Sequence, residues 1–352
     1  MLSIKIWLPR LLGLCLLSTT SAVWAQPDLS GTYDVGTLTP LERPEMFGNN
    51  LTLTPEAARE IEQRAAKRLA QAANQSNPDR GAPEKGGRVG GYNAFWIDRG
   101  DSAVSVDGTF RTSIITYPEN GQIPPMTERG AARRAGFLER WEIIWRSPDP
   151  TSRMNTGQAW WMESGHGPYD NMEQRPLAER CIIGSRSTAG PPMLPNLYNN
   201  HKRIIQTDTH VMILTEMNHD ARVIRLDSEH RPAHVQTWLG DSIGYWEEDT
   251  LVVVTRNFTD TPPLSGADAN LEVTERFRKL PNGDMYYRFS INNPQIWSEP
   301  WGGEYTWAKS DGKVYEYACH EGNYALGNIM RGARLLEQEY QAPAGRESMG
   351  GN

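Results

Sequence analysis

Between His201 and Phe258 the chain places five of its seven histidines. The same stretch holds an acid–His–acid–Arg run: Glu216, His219, Asp220 and Arg222. A histidine beside carboxylates can exchange protons near neutral pH, and an arginine can hold a carboxylate or a developing oxyanion. Farther along, His320 and Glu321 follow Cys319 directly, a second acid–base pair beside a potential covalent staple. The expected catalytic set is therefore Glu216, His219, Asp220, Arg222, His320 and Glu321, converging on one cleft. Each has a plainer reading: a hairpin-end ion-pair network for the first four, and a helix-entry segment for the last two.

Other patterns point away from particular chemistries. Asp241-Ser242 within Gly240 to Ile243 looks like the GDSL hydrolase motif, but Asp227 and His230 precede the serine instead of closing the chain, and the surroundings read as β-strand. Ser242 is better read as a turn serine. His230 and His234 flank Pro232 and would lie ~13 Å apart on an extended strand, too far to share one metal ion. No metal site and no cofactor are expected, since no Gly-rich phosphate or dinucleotide fingerprint occurs. Histidines 201, 219, 230 and 320 could still meet at a metal from distant positions.

These residues need elements to hold them. The first 25 residues, with Lys5 and Arg10, an apolar run from Leu11 to Leu17 and Val23-Trp24-Ala25 at the end, read as a cleaved signal peptide. Their apolar core is too short for a transmembrane anchor. The expected location is the periplasm or the extracellular space. Removing Lys5 and Arg10 takes the formal charge from −7 to −9, and no basic face is left for nucleic acid. Cys181 and Cys319 then remain, and two cysteines in an oxidising compartment predict one disulfide.

Residues 26–352 read as one β-rich domain. Its first part, 26–200, carries strands, a helix opened by Thr54 and Pro55, and long loops rich in Gly and Pro. One such loop, 164–200, is expected to be functional or a lid. Strands are predicted at Leu29–Val35, Tyr92–Trp96, Phe110–Tyr117 and Leu138–Trp145. The second part, 201–340, shows ten short strand patterns, among them Val235–Leu239 and Val314–Cys319, then a helix over 324–338. From Leu271 to Phe277 the apolar residues alternate, with Glu275 the exception on the inner face. Glu247 to Thr250 and Asn282-Gly283 are turn signals. Short strands without intervening helices predict a mainly β, antiparallel barrel or sandwich, lipocalin-like in one form, with a few peripheral helices.

The chain is also similar to a family of exported bacterial proteins with no assigned reaction. The blocks that carry the resemblance include Glu179-Arg180-Cys181, Gly190 to Pro195, Trp238 to Ser242 with Gly244, Trp246 and Asp249 to Val253, and Tyr315 to Tyr324. Glu248 stands where that family usually has glycine, which leaves the turn type there open. The resemblance spans most of the chain and implies no substrate.

Three functional readings follow. The first is an exported, non-redox enzyme, a lyase, isomerase or hydrolase, working on a small organic molecule by acid–base chemistry. The second is a lipocalin-like carrier of a small apolar or aromatic ligand; a structural or interaction module is the third. Aromatic and polar residues expected to contact the ligand are Tyr92, Asn93, Trp96, Arg111, Tyr198, Asn199, Trp238, Trp246 and Tyr324. A polar lining favours catalysis and an apolar one favours carriage. The oligomeric state is not legible.

Overall fold

A computed structural model describes residues 26–75, 79, 81, 97–141, 159, 161–162, 168–185 and 187–341. The expected signal peptide, the strand at 92–96 and the ligand residues Tyr92, Asn93 and Trp96 lie outside the described residues.

Nine strands close into a barrel. They are β1 (Gly31–Asp34), β6 (His201–Gln206), β7 (His210–Thr215), β8 (Ala221–Leu226), β9 (Asp241–Glu247), β10 (Thr250–Arg256), β11 (Glu272–Lys279), β12 (Met285–Asn292) and β13 (Trp301–Lys309). β1 closes the ring, pairing with β6 on one side and β13 on the other. β5 (Ile115–Tyr117) adds to the early part of β13, and β2 (Thr52–Leu53), β4 (Thr109–Arg111) and β3 (Ser105–Val106) form a separate small sheet. The barrel and the few helices agree with the sequence expectation.

Alternation explains the ring. In β12, Met285, Tyr287, Phe289 and Ile291 are buried while their neighbours are more exposed, the period-two signature of one face turned inward. The hairpins also follow the sequence. Glu248 and Asp249 link β9 to β10, with Glu248 in the left-handed region at φ 54°. Gly283, at φ 91°, turns β11 into β12.

One pairing departs from the antiparallel expectation. β8 and β9 run parallel, Ile224 opposite Ser242 and Leu226 opposite Gly244. The cause is 227–240, which returns the chain to the end where β8 began. The strand predicted at Val235–Leu239 does not form; that segment makes a single isolated β-bridge, between Thr237 and Phe258. The strand predicted at Val314–Cys319 is likewise an extended strap without a ladder. Leu138–Trp141, read as the start of a strand, instead ends helix α2 (Glu128–Trp141), whose first turn is capped by the Thr127 hydroxyl accepting from the Gly130 amide at 3.0 Å.

The other helices start where the sequence places them. α1 (Pro55–Gln75) begins with Thr54 Oγ1 accepting from the Ala57 amide, and α3 (Tyr324–Gln341) with Asn323 Oδ1 accepting from the Leu326 amide.

The barrel is filled. Tyr33, Tyr287, Tyr305, Trp301 and Trp307 all point inward and are at most 1% exposed. Phe277, Tyr287, Tyr305 and Trp307 pack with ring centroids 4.7–6.3 Å apart. The loop expected to be a lid supplies a plug. The Met193 side chain is wholly buried, its amide donates to Tyr287 Oη at 2.9 Å, and its carbonyl accepts from Tyr305 Oη at 2.6 Å.

Candidate functional site

The sequence-chosen residues that are described do not share one cleft. Four of them, His219, Asp220, Arg222 and Trp238, line a groove of about 480 Å³ beside the parallel pair β8–β9, together with His210, Arg225, Arg231, Asp241 and Ser242. The crossover 227–240 creates this groove, because it lifts Trp238 and Leu239 over the start of β8 without pairing there.

Electrostatics differ along its walls. Arg225 holds Asp241 through one nitrogen at 2.9 and 3.0 Å, His230 Nδ1 approaches the same carboxylate at 3.1 Å, and the Arg231 amide donates to it at 2.9 Å. Burial pushes the Asp241 carboxyl up, but these donors outweigh it and hold the group below its usual range. Arg231 itself is 53% exposed, and its Nε pairs with Asp241 at 3.7 Å, beyond hydrogen-bond length.

Asp220 behaves oppositely. Burial raises it above the usual carboxylate range, although the Gly184 amide at 2.6 Å, Asn218 and Lys202 pull the other way. His219 is exposed, and its Nε2 accepts from the Tyr317 amide at 3.0 Å. That bond makes Nε2 the acceptor of the neutral ring and leaves Nδ1 to carry its proton.

Arg222 lines the groove only at its base, and its guanidinium turns into the barrel. It donates to Ser242 Oγ at 3.0 Å, to Thr255 Oγ1 at 3.0 Å, and to both oxygens of Glu275. Tyr287 Oη completes the network by donating to Glu275 at 2.8 Å. Arg222 and Glu275 are at most 3% exposed. Substrate contact expected of Arg222 is therefore replaced by a buried structural pair. The odd inner position noted for Glu275 is its other half.

Glu216 faces elsewhere. It accepts from the Tyr315 amide at 3.1 Å and stands 3.4 Å from His201 Nδ1. His320 and Glu321 are exposed in the turn before α3 and line neither groove. The expected convergence of both acid–base pairs does not form, because the strap 310–319 sets its backbone amides against Glu216 and His219 while carrying His320 past them.

The disulfide between Cys181 and Cys319 is present, with Cα atoms 5.7 Å apart. It lies in a second groove of about 460 Å³ against α3, which also holds Tyr198 and Asn199. Tyr324 is 78% exposed at the head of α3. Arg111 is engaged with Glu304 at 2.9 Å, whose other oxygen accepts from Tyr286 Oη. Trp246 packs on the barrel core.

Sequence reasoning missed three groups. Lys202 is wholly buried, donates to the Thr188 carbonyl at 2.5 Å, and is pushed down to about 7 by desolvation. Asp34 is raised to about 6, first by burial and then by the charge of Asp98. His201 is raised chiefly by its hydrogen bond to Glu216. Strand alternation gave a signal for Lys202, a cation on the same inward face of β6 as buried Ile204; the other two depend on partners far along the chain.

Among the described residues no three His, Cys, Asp or Glu side chains gather as a metal set, and no helix is long and apolar enough to cross a membrane. Compared with family models, curated proteins and solved structures, the chain matches none.

Proposed function

We propose that this is an exported, cofactor-independent enzyme acting by acid–base chemistry on a small carboxylate-bearing molecule in the β8–β9 groove. The observation that carries the reading is the groove's lining: a buried carboxyl shifted toward neutrality, a histidine with a fixed tautomer, an exposed arginine and a tryptophan face one space. Arg231 pairs with the substrate carboxylate and Trp238 covers its apolar part. Asp220 takes a proton from the carbon beside the carboxylate. The electron pair moves toward the carbonyl oxygen, where His219 Nδ1–H donates a hydrogen bond. Returning the proton to the same carbon from the opposite face gives isomerisation by epimerisation; expelling a leaving group from the next carbon gives elimination. Carriage in a barrel mouth finds less support, since plug and aromatic side chains occupy the interior.

The test is a thermal-shift screen of small carboxylic acids against their neutral amides, followed by turnover assays on the hits. Acids should stabilise the protein and amides should not, and Arg231→Gln should abolish the difference. Asp220→Asn should keep binding and lower turnover by ~10²–10⁴-fold. Equal binding of acids and amides would defeat the anionic-substrate reading, and binding without turnover would make the protein a carrier.

A further inference from the structure

A second constellation lies outside that groove, where β1 brings distant ends together. His201 opens β6 opposite Asp34 of β1, and Ser310 follows β13, its amide bonded to the Thr32 carbonyl of β1 at 2.9 Å. Ser310 Oγ sits 3.0 Å from His201 Nε2, and His201 Nδ1 sits 3.4 Å from Glu216 Oε2. We propose that Ser310, His201 and Glu216 form a nucleophilic site that hydrolyses small, short-chain esters.

The order of contacts is the one nucleophilic catalysis requires: hydroxyl to imidazole, imidazole to carboxylate. Glu216 is fixed on its far side by the Tyr315 amide, so it orients the ring and keeps the Nδ1 proton facing itself. It is a positioning residue, and Ser310 and His201 are the catalytic ones. The Gly312 amide donates to Ser310 Oγ at 3.0 Å, polarising the hydroxyl oxygen toward the alkoxide. A Cβ at Gly312 would lie 2.7 Å from His201 Nε2 and 2.9 Å from Ser310 Oγ. Only glycine lets the strap cross the pair this closely. The His201 side chain is 22% exposed and Ser310 half-buried beside exposed Asp311 and Lys313, so the pair is partly open to solvent.

The chemistry balances. Ser310 Oγ attacks the ester carbonyl carbon as its proton passes to His201 Nε2. The alcohol leaves with that proton, giving an acyl-serine. Water then adds to the acyl carbon, its proton passing through Nε2 back to Ser310 Oγ, and the acid is released. His201 must be neutral to accept the first proton. Glu216, Asp34 and Asp98 all favour its charged form, so the rate should rise with pH.

The experiment is labelling of the full chain with a fluorophosphonate probe across pH 6–9, read by intact mass and peptide mapping, alongside p-nitrophenyl acetate hydrolysis. One adduct on Ser310 is expected, faster at higher pH. His201→Gln should slow it by ~10²-fold or more. Glu216→Gln should move the pH midpoint downward, because the imidazolium loses its carboxylate. Gly312→Ala should slow labelling, because its methyl would crowd both His201 Nε2 and Ser310 Oγ. Mapping on wild-type protein settles the matter even if a variant fails to fold. An unlabelled Ser310 in folded protein at pH 9, or labelling that is unchanged in His201→Gln, overturns the proposal and leaves the serine as a turn residue anchoring the strap.

Discussion

Replacing Arg222 should damage stability, whatever it does to activity. The guanidinium makes hydrogen bonds to Ser242, Thr255 and both oxygens of Glu275, and the pair is at most 3% exposed. Arg222→Met removes the cation and leaves the Glu275 carboxylate in the barrel with Tyr287 Oη as its remaining donor. Breaking a buried pair in this way costs ~3–5 kcal/mol, because the surviving charge loses water and gains no partner. The double variant Arg222→Met with Glu275→Gln should recover most of that loss. The new amide oxygen still accepts from Tyr287, and its nitrogen can donate to Thr255. Urea unfolding at pH 7, followed by both tryptophan fluorescence and circular dichroism, measures each midpoint. Equal midpoints for wild type and Arg222→Met would refute the reasoning. So would a double variant no more stable than the single one, since the damage would then be lost packing and not a stranded charge.

Four further outcomes follow from the same physics. Lys202→Met should stabilise the protein most at or below pH 7. The folded lysine, near 7 against an ordinary 10.5, disfavours folding by up to about 5 kcal/mol there, a cost that fades as pH rises toward 10, less ~1–3 kcal/mol for the Thr188 carbonyl left without its donor. Asp34→Asn should match wild type near pH 4 and exceed it above pH 6 in thermal melts, because a carboxyl raised from 3.8 to about 6 loses stabilisation as pH climbs through that window. Glu248→Gly should raise the unfolding free energy by up to ~1 kcal/mol, read as a higher urea midpoint, as the left-handed φ of 54° suits glycine better than glutamate. Exchanging Cys181 and Cys319 together for serine should lower stability by up to ~4–5 kcal/mol for a loop of this length, with non-reducing mass mapping confirming the bond in the parent.

Sequence by itself determined the local pieces. Period-two alternation marked the inward row from Leu271 to Phe277, since a face packed on a core is mostly apolar at every second residue. Thr54-Pro55 marked the start of α1, Glu248-Asp249 and Asn282-Gly283 marked hairpins, and the pair Cys181 and Cys319, left after the expected leader, marked the disulfide. Each signal rests on neighbours within a few residues, or on counting. The tertiary structure decided what closes and what meets. Ring closure joins β1 to β13, Arg222 finds Glu275 53 residues away, and Ser310 finds His201 109 residues away. Nothing near Glu275 says which cation will neutralise it, because strand pairing and shear set the partner across a barrel. The same holds for the β8–β9 groove. Val235–Leu239 has the composition of a strand, yet the edge it would have paired with is taken by β9 in parallel, so the segment crosses over and lifts Trp238 above His219 and Asp220.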